Sequence, residues 1–404
     1  MMTTDITASI KTHIDSILPE LIAIRHDIHT HPELGYQETR TADVIRSFLT
    51  EHGVEHVDNL AGGTGTLGHI SGESDTAIGL RADIDALPIL EENNFTYKSV
   101  HEGCMHACGH DGHTTMLLGT AAILSKLAKE EPLPNSVSFL FQPAEEGGGG
   151  GKRMVEDGCL DGSVLGTPIK MMFGQHGWTD LQLGHVATRV GPMLAADIGV
   201  NVTIQGKGGH AAFPHTCIDP IVCGAQVVTS LQQLVSRNTN PLDSLVCSIT
   251  QFHAGTAHNI IPDEVKLNGT MRFLQPEIGK MAERRFREIV ESVATAHGCT
   301  AEVDLKYGYP VTNNHKDAVD MFFEIANNTL PSQHVENFES PVMGGEDFSY
   351  YCQEVPSCFF ALGLLPKGQA QMAGLHQPTF DFNDDAIATG IQLFCALALQ
   401  SRID

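Results

Sequence analysis

Between residues 76 and 175 the chain alternates short apolar runs with stretches of helical period, and this restricts the fold more than any other feature. Thr76–Asp83 (TAIGLRAD), Ser136–Gln142 (SVSFLFQ) and Lys170–Gln175 (KMMFGQ) read as strands, and His113–Lys129 and the shorter Lys152–Asp157 as helices. Strands alternating with helices predict an α/β layer on a mostly parallel sheet. An amphipathic helix comes first, because Ile6, Ile10, Ile14, Ile17, Leu21, Ile24 and Ile28 recur at helical spacing.

Near residue 190 the pattern changes. Asp197–Gln205 alternates as a strand, Ile218–Ser236 has helical period, and Ser244–Phe252 and Glu264–Phe273 are strands. Pro276 opens a helix to about His297, and Thr300–Tyr307 is again a strand. Strand, helix, strand, strand, helix, strand is the ferredoxin-like βαββαβ unit. α/β character then resumes. The expected organisation is a larger domain in two parts, residues 1–188 and 309–404, with a smaller domain inserted over 189–308.

With 404 residues, 42% of them hydrophobic, the chain can bury a sizeable core. A formal charge of −25 repels phosphate backbones and anionic lipid, so neither nucleic acid nor membrane is an expected partner. Met1–Lys11 lacks the basic and apolar regions of a signal peptide, and no run approaches the ~18 apolar residues of a spanning helix. Ten cysteines at irregular spacing do not form a secreted disulfide framework, so a reducing, cytoplasmic setting is expected.

The densest chemistry lies in Met105-His106-Ala107-Cys108-Gly109-His110-Asp111-Gly112-His113, between a strand and a helix. Loops at strand ends are where α/β folds place their sites. Cys and His are ligands of zinc and similar ions, and the glycine between Cys108 and His110 lets both face one cation. A structural zinc site would need a second ligand pair, for which Cys104 is only a weak candidate. A cysteine nucleophile, with His110 or His113 as base, is the other reading. Glu145 and Glu146 follow an apolar strand and precede five glycines; one could bind a metal while the other meets its water. His176 closes a strand, and His376 lies in Gly374-Leu375-His376-Gln377-Pro378. Two phosphate-loop readings fail. Glu146 and Arg153 stand where a P-loop needs Gly and Ser/Thr, and Pro214 follows the Gly206–Ala211 fingerprint before any helix.

These blocks, with Arg25–Gly35 (RHDIHTHPELG), Arg81–Pro88 (RADIDALP), Gly206–Ala211 (GKGGHA), Asn259–Pro262 (NIIP) and Gly344–Phe348 (GGEDF), run the length of the chain. It resembles the metallopeptidase-like amidohydrolases that include aminoacylase, carboxypeptidase G, hippurate hydrolase and the plant auxin–amino acid conjugate hydrolases, and is most similar to the hippurate and auxin-conjugate branch. The resemblance implies a metal-dependent amidohydrolase acting on N-acyl amino acids, with a metal-bridged water activated by Glu145. It implies two divalent ions (zinc, manganese, cobalt or nickel) on Cys108, His110, Glu146, His176 and His376. The inserted domain would mediate a homodimer or higher homo-oligomer, with His210 serving the site of a partner subunit. Asn259 and Arg272 would bind substrate, Arg272 at its carboxylate. The wider family has a ligand His where this chain has Asp83, so Asp83 is left off the ligand set and Asp85 is read as a support behind it; capping of a turn before Pro88 is the other reading of both. Two alternatives remain: a non-catalytic metal-containing binding protein of the same fold, and a hydrolase with Cys108 as nucleophile. The acyl group, the metal and the pathway are not legible.

Overall fold

The computed structural model describes residues 2–403, and side chains from residue 8 on. The chain divides into two compact units. One runs to Met193 and takes in Asn313–Ser340 and the chain from Asp347 on; the other comprises Leu194–Thr312 and Pro341–Glu346.

Among the described residues, the larger unit holds an eight-stranded sheet. Its order is Glu55–Leu60, Gly65–Ile70, Ser136–Gln142, Ala77–Asp83, Ile169–Gln182, Ser357–Leu365, Val186–Thr188 and Val335–Asn337. The four central strands, Ser136–Gln142 to Ser357–Leu365, are mutually parallel. Glu55–Leu60 and Gly65–Ile70 extend one side in antiparallel register. Ala77–Asp83, Ser136–Gln142 and Ser357–Leu365 are buried along their whole length, as strands covered on both faces must be. The helix His110–Glu130 is buried from His110 through Ser125. The first helix, Met2–Thr30, buries Ile10, Ile14, Leu21 and Ile28 and half-buries Ile17 and Ile24. The side chain of Ile6 lies outside the described residues.

The smaller unit has its own core, including Val200, Val202, Ile204, Val227, Leu267 and Phe286. Its antiparallel sheet runs Leu245–Ala254, Glu264–Phe273, Ala196–Gln205, Thr300–Tyr307. Numbered along the chain this is the order two, three, one, four, with helices Pro220–Leu231 and Pro276–Ala296 as the two crossovers. Residues 218–236 are not one helix, as the periodicity had suggested. The helix starts at Pro220, capped by the Asp219 side chain on Ile221 N, and a separate π-helical turn spans Leu234–Asn238. Likewise His176 does not close its strand, which continues to Gln182. Among the described residues no helix is long and apolar enough to cross a membrane.

Candidate metal centre

Three segments converge in the larger unit, two of them directly after central parallel strands. After Ala77–Asp83 comes Asp85; after Ser136–Gln142 come Glu145 and Glu146; and the 105–113 segment leads into the helix that begins at His110. That helix starts where it does because Gly109 takes a left-handed φ of +90°, and a Cβ there would stand 3.0 Å from the Phe382 ring. Cys108 and His110 are thereby turned to the same place: one ligand atom from each of Cys108, His110 and Glu146 lies within 4.8 Å of the others. His176 joins from the neighbouring strand with Nε2 3.4 Å from Cys108 Sγ, and His376 with Nε2 3.2 Å from Glu146 Oε1.

Each of these side chains is held from behind. His110 Nδ1 lies 2.9 Å from the Asp85 carbonyl and 3.2 Å from Asp85 Oδ1, while Asp85 Oδ2 accepts the Glu146 N–H at 2.9 Å. Asp85 thus contacts two candidate ligands at once, the ring of His110 and the peptide of Glu146. His176 Nδ1 faces the Gly177 carbonyl at 2.8 Å, so its proton sits there and Nε2 keeps its lone pair. The His376 N–H donates to the Ala107 carbonyl at 2.8 Å, with φ at +63°. Five non-glycine residues among those described have positive φ, and three of them, Tyr36, Ala144 and His376, belong to this region. Non-glycine residues in that conformation are strained by ~1–3 kcal/mol, and such strain collects at functional sites.

The donor set fits a divalent cation. His110 Nε2 is buried and has no hydrogen-bond partner among the described residues; the Asp83 carboxylate lies 3.7 Å away. Buried orphan nitrogens are rare, and this one faces a thiol and a carboxylate. Burial opposes charge on His110, but Asp83, Asp85 and Glu146 outweigh it and raise its pKa to about 10, so an ion bound here displaces a proton. Burial pushes the Cys108 thiol well above its usual range, and Glu146, Glu145 and Asp83 push the same way. A nucleophilic cysteine needs electropositive surroundings, so this setting argues against the thiol-hydrolase alternative and favours a thiolate that exists only beside a cation. Burial also raises the Glu146 carboxyl, but His376 and His110 prevail and hold it below the usual carboxylate range. Burial, with His113 adding to it, keeps His176 well below the ordinary imidazole range and so neutral.

Sequence reasoning missed a second layer. His113 Nδ1 is 2.6 Å from Asp83 Oδ1 and its Nε2 accepts the Gly177 N–H at 2.8 Å. Both ring nitrogens are engaged, so His113 ties Asp83 to the peptide that follows His176, and with Asp83, His110 and His176 it forms a second buried cluster whose ligand atoms lie within 4.8 Å of one another. Asp83 also receives Arg81 Nη1 at 2.7 Å, and Arg81 reaches Asp347 at 2.8 Å. The i, i+3 spacing of His110 and His113 was the available signal, because it places both rings on one helix face.

Glu145 is buried, with 6% of its surface exposed, between Ala144 and Glu146. The other expected substrate residues lie in the smaller unit. His210 is exposed and pairs with Ile260, and the adjacent Ala211 N–H donates to the Asn259 carbonyl at 3.0 Å, so His210 and Asn259 are neighbours. Arg272 is half-buried in Glu264–Phe273, opposite Asp197.

Residues 79–400 match the sequence profile of peptidase family M20/M25/M40. The chain is 39% identical over 388 residues to IAA-amino acid hydrolase ILR1-like 4 of Arabidopsis thaliana, covering 95% of this chain and 86% of the relative. It is 43% identical over 308 residues to the N-acyl-L-amino acid amidohydrolase of Geobacillus stearothermophilus, covering 75% and 80%. The crystal structure of the Bacillus subtilis YXEP protein, described as a dinuclear metal binding peptidase from the M20 family, superposes with a TM-score of 0.81 at 33% identity, over 95% of this chain and 98% of that one.

Proposed function

We propose, from the premise that this chain belongs to peptidase family M20/M25/M40, that it is a metal-dependent amidohydrolase. It cleaves N-acyl amino acids to a carboxylic acid and a free amino acid. The observation that carries this reading is the convergence of Cys108, His110, Glu146, His176 and His376 on one another, with buried Glu145 beside Glu146. A bare binding site would have no use for that further carboxylate.

The five residues form the ligand set for two divalent ions, of which zinc, manganese, cobalt and nickel all suit mixed sulfur, nitrogen and oxygen donors. When bound, such ions polarise the scissile carbonyl and acidify water. Glu145 takes the proton of the attacking water and returns it to the leaving amine. His210 serves the site of a partner subunit, donating to the developing oxyanion there, and Asn259 and Arg272 bind substrate, Arg272 at its carboxylate. The inserted unit, expected at residues 189–308, serves self-association as a homodimer: its edge strand Leu245–Ala254 and the helix Pro220–Leu231 expose Phe252, Val222 and Ile221. A cytoplasmic location agrees with ten free thiols.

The test is a panel of N-acyl amino acids assayed with each metal after chelation, on wild type and Glu145→Gln. Wild type should turn over at least one class. Glu145→Gln should lose roughly 10²–10⁴-fold in kcat, the usual worth of a general base, while calorimetry finds its metal uptake unchanged. Inertness of wild type towards every amide with every metal would refute the reading.

A further inference from the structure

The block Glu33-Leu34-Gly35-Tyr36-Gln37-Glu38 has no part in this chemistry, yet it packs on the turn that carries it. Glu38 is fully buried; its Oε1 accepts the Ala144 N–H at 2.8 Å and its Oε2 the Thr64 hydroxyl at 2.8 Å. The Tyr36 hydroxyl donates to the Gly148 carbonyl at 2.7 Å. Gly35 lies against Ala144 so closely that a Cβ there would stand 3.1 Å from the Ala144 Cβ, and 3.6 Å from Asp85 Oδ2. The other end of the block joins the Asp85 segment: Leu34 bridges Ala86, whose N–H donates to the Glu33 carbonyl at 2.8 Å. Six consecutive residues thus grip both the peptide before Glu145 and the residue after Asp85.

The grip falls where the backbone needs it. Ala144 is fully buried with φ at +51°, and Tyr36 opposite has φ at +62°. A left-handed, buried alanine cannot send its N–H to water, so the conformation persists only while an acceptor meets it. Among the described residues no cation pairs with Glu38. Burial, the leading cause, raises its carboxyl to about 7. A group so costly to bury is accounted for by the two donors it receives.

We infer that Glu38 is a positioning residue: by fixing the Ala144 peptide it sets the directions in which Glu145 and Glu146 leave the turn. The inference rests on the hydrolase reading of those two carboxylates. It predicts that the hydrogen bond, and not the charge, is what matters. Glu38→Gln can turn its carbonyl to the Ala144 N–H and its amide to the Thr64 hydroxyl, which is able to accept. Glu38→Ala leaves the N–H orphaned.

The experiment uses the full-length protein. Expected for Glu38→Ala are a kcat reduced ~10–100-fold with KM little changed, and Zn²⁺ affinity of the chelated protein reduced about 10-fold by calorimetry, the range typical of residues that orient ligands. Glu38→Gln should restore both to within about threefold of wild type. If Glu38→Ala fails to fold, Glu38→Asp, which withdraws the carboxylate by one methylene, carries the same expectation. A variant that melts earlier but keeps wild-type kcat and Zn²⁺ affinity well below its Tm would overturn the inference, as would Glu38→Gln being as impaired as Glu38→Ala. If wild type hydrolyses no N-acyl amide, the hydrolase reading fails by itself, and the Zn²⁺ titrations still decide whether Glu38 holds the turn.

Discussion

His29 should make the stability of this protein fall as pH rises from about 6.5 to 9. The ring is fully buried, with Nδ1 2.9 Å from Asp111 Oδ2 and Nε2 3.2 Å from Glu91 Oε1. Burial opposes charging it, but the two carboxylates outweigh burial and the nearby Arg25, and its pKa is raised from 6.5 to about 9. The folded protein therefore holds a proton that the unfolded chain releases near 6.5. Its contribution is fully present below that value, declines between 6.5 and 9, and is gone above. Between 6.5 and about 9, at about 1.36 kcal/mol per pH unit, this amounts to about 3 kcal/mol. The measurement is urea unfolding of the chelated protein, wild type against His29→Gln, at about pH 6 and about pH 9.5. Wild type should lose about 3 kcal/mol of its advantage over the variant between the two. If the two proteins change in parallel across this range, His29 is not a buried cation and the ion network around Asp111 has been misread.

Two further outcomes follow from the site and the surface. Cys108→Ser replaces a soft thiolate with a hydroxyl that remains protonated, so Zn²⁺ affinity should drop by about 10-fold or more while the fold is kept, as calorimetry and circular dichroism would report. Val222→Glu combined with Phe252→Glu places two charges on the exposed face of the inserted unit, and light scattering should then find a monomer where wild type is a dimer; a wild-type monomer would remove the dimer proposal.

How far the sequence could be read depended on whether the physical signal was local. Ala196–Gln205 was legible because its burial alternates residue by residue, as a half-covered strand requires. Gly65–Ile70 and Ser357–Leu365 went unread although Ala77–Asp83 and Ser136–Gln142, just as uniformly buried, were legible: the first is broken by two glycines in six residues, and periodicity does not separate a continuous apolar run such as the second from a buried helix. The candidate ligands could be picked out because thiol, imidazole and carboxylate are chemically conspicuous wherever they stand. Their supports are not. The Asp83–His113 contact spans 30 residues, Arg25–Asp111 spans 86, and Glu38–Ala144 spans 106. No periodicity or motif links positions so far apart. Ala144 is the sharpest case: as a letter it is the least informative residue in Pro-Ala-Glu-Glu, yet its left-handed φ and its single N–H decide where both glutamates point. Side-chain chemistry therefore identifies what a metal centre is made of, while the backbone conformations that aim it depend on contacts that only the folded chain creates.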